Sequence, residues 1–332
     1  MNLVPASRTR CVALALTVSV VTAATACTTG GRTDEQATQL PAVTAAEVRD
    51  EALVERAEVI IERIAYPTRG EADPDQNWGD LYLPVGEHAE DSVPLVVLIH
   101  GGSWASQLGA AVMDDYARDL VKRGMAVYNI EYRRVGSGGG WPTTFSDVAH
   151  ALDHVIEIDR QYPELTTDDE LVVGHSAGAQ LAMWAGTRHA LEDNEVGSKP
   201  AFRPTRVISL AGPLDMTYAA THGDDRIVAV LGGPPDKVPE RYTSVDPIQN
   251  IDPDVPVVAI HGTADTLVSP TNSERYIAAV KRAGGIGVLT LAGGEDHVSL
   301  VNSDSPWYGP ILDIITDTSE KSVDELGDKY SG

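Results

Sequence analysis

Cysteine is nearly missing from the 332-residue sequence: Cys11 and Cys27 are the only two. Basic side chains are also scarce, with 25 Lys plus Arg against 49 Asp plus Glu and a formal net charge of −24. No basic stripe offsets that field. Phosphate backbones are therefore repelled, and nucleic-acid binding is excluded. Apolar runs long enough to span a bilayer are lacking beyond residue 26, which excludes a multi-span membrane protein. The histidines are scattered, so no metal-ligand spacing is present, and the glycine runs at 136–140 and 232–235 lack the Lys-Ser/Thr that a phosphate loop requires. No cofactor or metal is expected. Internal repeats are absent. What remains is 42% hydrophobic and 22% charged, a composition suited to a large core.

The first 26 residues read as a targeting segment. Arg8 and Arg10 precede an apolar stretch, 11–26, that is short for a spanning helix and ends in Ala24-Thr25-Ala26 before Cys27. This layout resembles a bacterial lipoprotein signal, in which Cys27 becomes the lipidated N-terminus. Ala24 stands where that signal usually has leucine, so ordinary cleavage after Ala26 and an uncleaved anchor stay open as alternatives. Once the signal is removed, Cys11 leaves with it and no internal disulfide is available. The expected location is outside the cell, either on the outer face of the cytoplasmic membrane through Cys27 or secreted.

Beyond residue 26 the chain alternates. Residues 27–43 read as a tether, and Thr44 with Glu47 looks like a capping box opening a helix to about Ala65. Strands are expected at 78–83, 95–99, 126–132, 170–173, 207–210, 257–260 and 287–291. Helices are expected at 110–122, 145–162, from 177 to about 189, and 273–282. Most of the strands are short, β-branched and apolar on both faces, as buried parallel strands are. The order predicts one three-layer α/β domain over 44–332, with a mostly parallel central sheet and helices on both faces. An irregular insertion at about 212–254 is expected to form a small cap or one wall of a substrate pocket.

The sharpest chemical signal is Gly174-His175-Ser176-Ala177-Gly178, set between an apolar strand and an apolar helix. Strand, tight turn and helix are the context in which this pattern lifts a serine hydroxyl out of the packed layer. A serine nucleophile needs a base, and the base needs an orienting acid. His297, in a loop after the last strand, is the expected base. His189 ends the serine helix, His222 lies in the insertion, and His261 reads as a structural turn residue. Asp265, just past a strand end among small residues, is the expected acid. Glu295 and Asp296 neighbour the histidine in sequence and point away from it, and Asp252 and Asp254 precede their strand. An oxyanion would be held by backbone N–H groups of Ala177 and of the loop His100-Gly101-Gly102-Ser103-Trp104, with Gly102 and Ser103 favoured over Gly101. The candidate pocket residues are His175 and Trp104, the latter as an aromatic wall or as core packing.

The set HGGSW, GHSAG, HGTADTLV and EDH, at 100, 174, 261 and 295, resembles the α/β-hydrolase fold over roughly residues 65–300. Within it the likeness is nearest to the esterase and lipase branch that includes kynurenine formamidase-like and small carboxylesterase or feruloyl esterase-like enzymes. Glu131-Tyr132-Arg133-Arg134 stands in place of that branch's Asp-Tyr-Arg segment, with glutamate for aspartate. Ser244-Val245-Asp246-Pro247 is similar to its Ser-Pro turn with residues inserted. His175 departs from the Gly-Asp-Ser-Ala-Gly of hormone-sensitive-lipase-like relatives. The resemblance implies a serine hydrolase acting on short-acyl or aryl esters through an acyl-enzyme, and the targeting segment suggests that it meets those esters, of small molecules or saccharides, outside the cell. An amidase or arylformamidase would use the same three residues, and a non-catalytic binding protein would normally have lost one of them.

Overall fold

The computed structural model describes residues 59–105, 108–321 and 325. Its centre is an eight-stranded sheet ordered β1-β2-β4-β3-β5-β6-β7-β8. The strands are β1 (Val59–Ala65), β2 (Trp78–Pro84), β3 (Val93–Ile99), β4 (Ala126–Ile130), β5 (Leu165–His175), β6 (Arg206–Leu210), β7 (Val257–Gly262) and β8 (Gly287–Ala292). β1 and β2 run antiparallel at one edge, and β4 through β8 pair in parallel.

Alternation within each strand divides the apolar residues between two cores. Leu95, Val97 and Ile99 of β3 face one layer, and Val96 and Leu98 face the other. On the second face lie α1 (Asp114–Val121), through Tyr116 and Leu120, and the last helix (Tyr308–Glu320), through Ile311 and Ile315. The first face is covered by α2 (Thr143–Asp153), α3 (Val155–Gln161) and α4 (Ala177–Ala185). The insertion helices α5 (Met216–Thr221), α6 (Asp225–Leu231) and α7 (Pro239–Val245), with α8 (Thr271–Arg282), complete that layer. The last helix is α9. The insertion is thus built into the main core through Leu214, Ile227, Leu231 and Tyr242. Buried Asp246 secures it, accepting from the N–H groups of Met216 (2.9 Å) and Thr217 (3.1 Å).

Three expectations need correction. The helix expected from 44 to 65 is a strand where it is described: Val59–Ala65 pairs residue for residue with β2, and its β-branched Val59, Ile60, Ile61 and Ile64 suit that pleat. Residues 44–58, like the signal, the tether and Cys27, lie outside the described residues. The helix expected over 145–162 breaks at His154, where the Glu157 N–H bonds back three residues to the His154 carbonyl and tightens the turn. The helix after Ser176 stops at Ala185, followed by a short 3-10 turn at Arg188–Ala190. The sequence reading also missed α9.

Candidate active site

All the loops of interest leave the C-terminal ends of parallel strands, so topology gathers them along one edge of the sheet. Ser176 follows β5 and caps α4 with φ 55° and ψ −118°, a backbone region that favours glycine. The surroundings hold it there: its N–H donates to the Leu210 carbonyl (2.8 Å), and its carbonyl accepts from Ala179 (3.0 Å). Gly174 and Gly178 make the turn sterically feasible. A Cβ on Gly174 would meet the Gly178 carbonyl, and one on Gly178 would meet the carbonyls of Ile99 and His100.

The structure brings Ser176, His297 and Asp265 together. Ser176 Oγ lies 2.7 Å from His297 Nε2, and His297 Nδ1 lies 2.7 Å from Asp265 Oδ2. With the carboxylate accepting, Nδ1 carries the proton and Nε2 is free to accept from the hydroxyl. Each of the three residues is only 6% exposed. The other carboxylate oxygen, Asp265 Oδ1, accepts from the N–H groups of Leu267 (2.8 Å) and Val268 (2.9 Å). Burial pushes this carboxyl up, but hydrogen bonds from His261, His297 and the Val268 N–H outweigh it and hold the group well below the usual carboxylate range.

The rejected candidates have other partners. His189 pairs with Asp252 (2.8 Å), and His222 Nδ1 donates to the Tyr218 carbonyl (2.8 Å). Asp296 caps the turn after His297 by accepting from Val298 and Ser299, and Glu295 accepts from Ser305.

The loop after β3 runs through three consecutive positive φ angles, at Gly102 (115°), Ser103 (59°) and Trp104 (56°). Gly101 packs against the elbow: a Cβ there would stand 2.9 Å from His175 Nδ1 and 3.0 Å from Ser176 Cβ. His100 anchors the loop. Its Nδ1 is 2.6 Å from the Gly101 carbonyl, its Nε2 is 2.9 Å from Glu131, and its ring stacks on Tyr132. In a trans peptide the carbonyl and the following N–H point in opposite directions. Tying the Gly101 carbonyl to His100 therefore turns the Gly102 N–H away from that ring. Ala177 is the first residue of α4, where backbone N–H groups have no acceptor within the helix.

Both expected pocket residues are buried. Trp104 is 2% exposed and packs in the core, donating Nε1–H to Gln180 (3.2 Å), because the positive φ angles turn it inward. His175 donates Nε2–H to the backbone carbonyl of His297 (2.9 Å) and so steadies the loop that carries His297. Burial, reinforced by the nearby His297, lowers its pKa to about 4. Two supports are not evident from the sequence: Glu131, which holds His100, and His261, which lies in β7 with Nε2 3.2 Å from Asp265 Oδ2. Leu267 and Val298, in the loops that carry Asp265 and His297, stand 51% and 61% exposed.

A cavity of about 290 Å³ lies between the insertion and the acid loop, lined by Tyr218, His222, Arg226, Leu267, Ser269 and Asn272 among others. Among the described residues, no group of three or more His, Cys, Asp or Glu is arranged to hold a metal, and no helix is long and apolar enough to cross a membrane.

A family model described as BD-FAE matches residues 80–279, more than half of the chain. A non-reducing polyketide synthase of Stereocaulon alpinum is 27% identical over 185 residues, which is 53% of this chain and 7% of that protein. A bifunctional GH43-CE protein of Bacteroides eggerthii superposes with a TM-score of 0.63 at 26% identity, covering 77% of this chain and 35% of that one. A truncated carbohydrate esterase from gut microbiota, 21% identical, shares the fold with a TM-score of 0.64 over 78% of this chain and 97% of its own. The chain thus spans a small part of the first two proteins and nearly all of the third.

Proposed function

The chain belongs to the BD-FAE family, an esterase family of the α/β-hydrolase fold, and on that premise we propose that it cleaves carboxylic esters by two-step acyl transfer. The observation that carries this reading is the continuous path from Ser176 Oγ through His297 to Asp265, at 2.7 Å in both links. In this scheme His297 takes the Ser176 proton as the hydroxyl attacks the ester carbonyl. Asp265 fixes the imidazole tautomer and balances its charge. Backbone N–H groups of Ala177 and of Gly101, Gly102 or Ser103 hold the oxyanion. The alcohol leaves with the proton from His297, and water repeats the sequence on the acyl-enzyme.

The exposed Leu267 and Val298, in the loops that carry Asp265 and His297, support a short-acyl or aryl ester as sources of apolar contact. The name of the carbohydrate esterase relative supports an acylated saccharide as one such ester. The insertion 212–254, built into the main core, would form one wall of the substrate pocket. Arylformamidase chemistry would use the same three residues, and the family match favours the ester. Export, with lipid attachment at Cys27, is proposed from residues 1–27 alone.

The test is hydrolysis of p-nitrophenyl acetate, butyrate and octanoate, methyl ferulate, acetylated xylan and N-formylkynurenine, by the protein and by its Ser176→Ala variant. Ester turnover that vanishes in the variant is expected. Turnover that persists in the variant would sink the assignment, and activity on N-formylkynurenine alone would move the reading to the formamidase.

A further inference from the structure

Two imidazoles converge on one oxygen of Asp265. His297 Nδ1 lies 2.7 Å from Oδ2, and His261 Nε2 approaches the same oxygen at 3.2 Å. His261 is completely buried within β7. Its Nε2 also lies 2.9 Å from the Val268 carbonyl, and its Nδ1 lies 2.7 Å from Ser273 Oγ. A carbonyl only accepts, so Nε2 bears the proton, and the Ser273 hydroxyl donates to Nδ1. The Nε2 proton is shared between Val268 O and Asp265 Oδ2, while Val268 N–H and Leu267 N–H hold Oδ1. One ring in the sheet thereby closes the loop 265–268 and leaves the carboxylate a single orientation toward His297. The other ionisable groups facing this pair are His175 at the end of β5 and Asp296 beside His297.

We propose that His261 is a positioning residue for the acyl transfer, fixing the direction of the Asp265 carboxylate and drawing charge from the oxygen that His297 shares. The inference rests on Asp265 being the orienting acid. The sequence suggests a turn residue at His261, whereas it lies within β7 and faces the loop that follows.

The experiment compares the full chain with His261→Leu and His261→Gln on p-nitrophenyl acetate, alongside Ser176→Ala. Removing the ring lets the acid loop relax, and a displacement of about 1 Å at a catalytic group costs on the order of a hundredfold. The expected result for His261→Leu is a kcat lower by roughly ten- to a hundredfold, with KM unchanged. The acidic limb of its kcat/KM profile should also move to higher pH, because Oδ2 regains charge. Glutamine presents an N–H near the place of Nε2 and should recover most of both effects. A folded His261→Leu enzyme with unchanged kcat and limb would overturn the proposal, as would equal losses in both variants with no movement of the limb. A nitrogen-15 imidazole spectrum of the unaltered protein gives a second readout, in which His261 should hold its proton on Nε2, and a proton on Nδ1 would refute the inference. If Ser176→Ala stays active the triad reading fails, whereas an inactive Ser176→Ala with an unimpaired His261→Leu overturns this proposal alone.

Discussion

Ser176 is held at φ 55° and ψ −118°, and that conformation sets up a stability experiment independent of any substrate. A non-glycine residue in so sparsely populated a region costs about 1–3 kcal/mol. Ser176→Ala and Ser176→Gly both lose the hydroxyl and its 2.7 Å bond to His297, so the difference between them isolates the backbone. Alanine keeps the strain and glycine relieves it. Against that, glycine loses more chain entropy on folding, by roughly 0.5–1 kcal/mol. The glycine variant should therefore be the more stable of the two by about 0.5–2 kcal/mol. For a domain of this size that corresponds to a few degrees in Tm, at about 2–4 °C per kcal/mol. Urea unfolding followed by tryptophan fluorescence, with calorimetry as a check, measures it directly. An alanine variant as stable as the glycine variant would show that the elbow is unstrained and that the argument from φ is mistaken.

Two further outcomes are expected. His175 is buried and its folded pKa is lowered from 6.5 to about 4. Below pH 6.5 the unfolded chain therefore takes up a proton that the folded chain refuses. The stability from this group is fully present above pH 6.5 and falls by about 3 kcal/mol as the pH drops to about 4. His175→Gln keeps a donor for the His297 carbonyl but does not ionise, so urea midpoints should diverge from the unaltered protein across that window, and parallel curves would contradict the claim. Gly178→Ala should destabilise the fold by about 1–3 kcal/mol and lower kcat, because the new methyl meets the carbonyls of Ile99 and His100. Unchanged urea midpoint and turnover in that variant would mean that the elbow and β3 have room for the methyl group.

What could be read from the sequence follows from how each feature is encoded. Apolar β-branched runs such as Leu95–Ile99 and Val257–Ile260 are buried on both faces and announce themselves as parallel strands. The serine elbow was legible because glycines are obligatory where backbones meet, and His297 and Asp265 because chain order and strand ends restrict the choice. β1 was not legible: it is a mostly exposed edge whose partner, β2, lies elsewhere in the sequence, so its own pattern carries no burial signal. Trp104 was ambiguous because the positive φ angles that turn it inward are set by the packing of the loop. Glu131 and His261 were missed as supports because their importance lies in which neighbour a side chain faces across strands, which one-dimensional spacing does not record.

The side chain of Gln180 accepts from Trp104 and donates to the Val245 carbonyl at 2.8 Å. One amide thus rivets three parts together: the turn after β3, the serine helix, and the last helix of the insertion. A flap that swings open would have to shear that rivet, and with it the Trp184 bond to the Ser244 carbonyl (3.1 Å). The insertion is therefore fixed to the body of the domain. In the proposed reading, the wall it gives the site changes only by recutting its side chains, since a hinge there would loosen the turn and the serine helix at the same stroke.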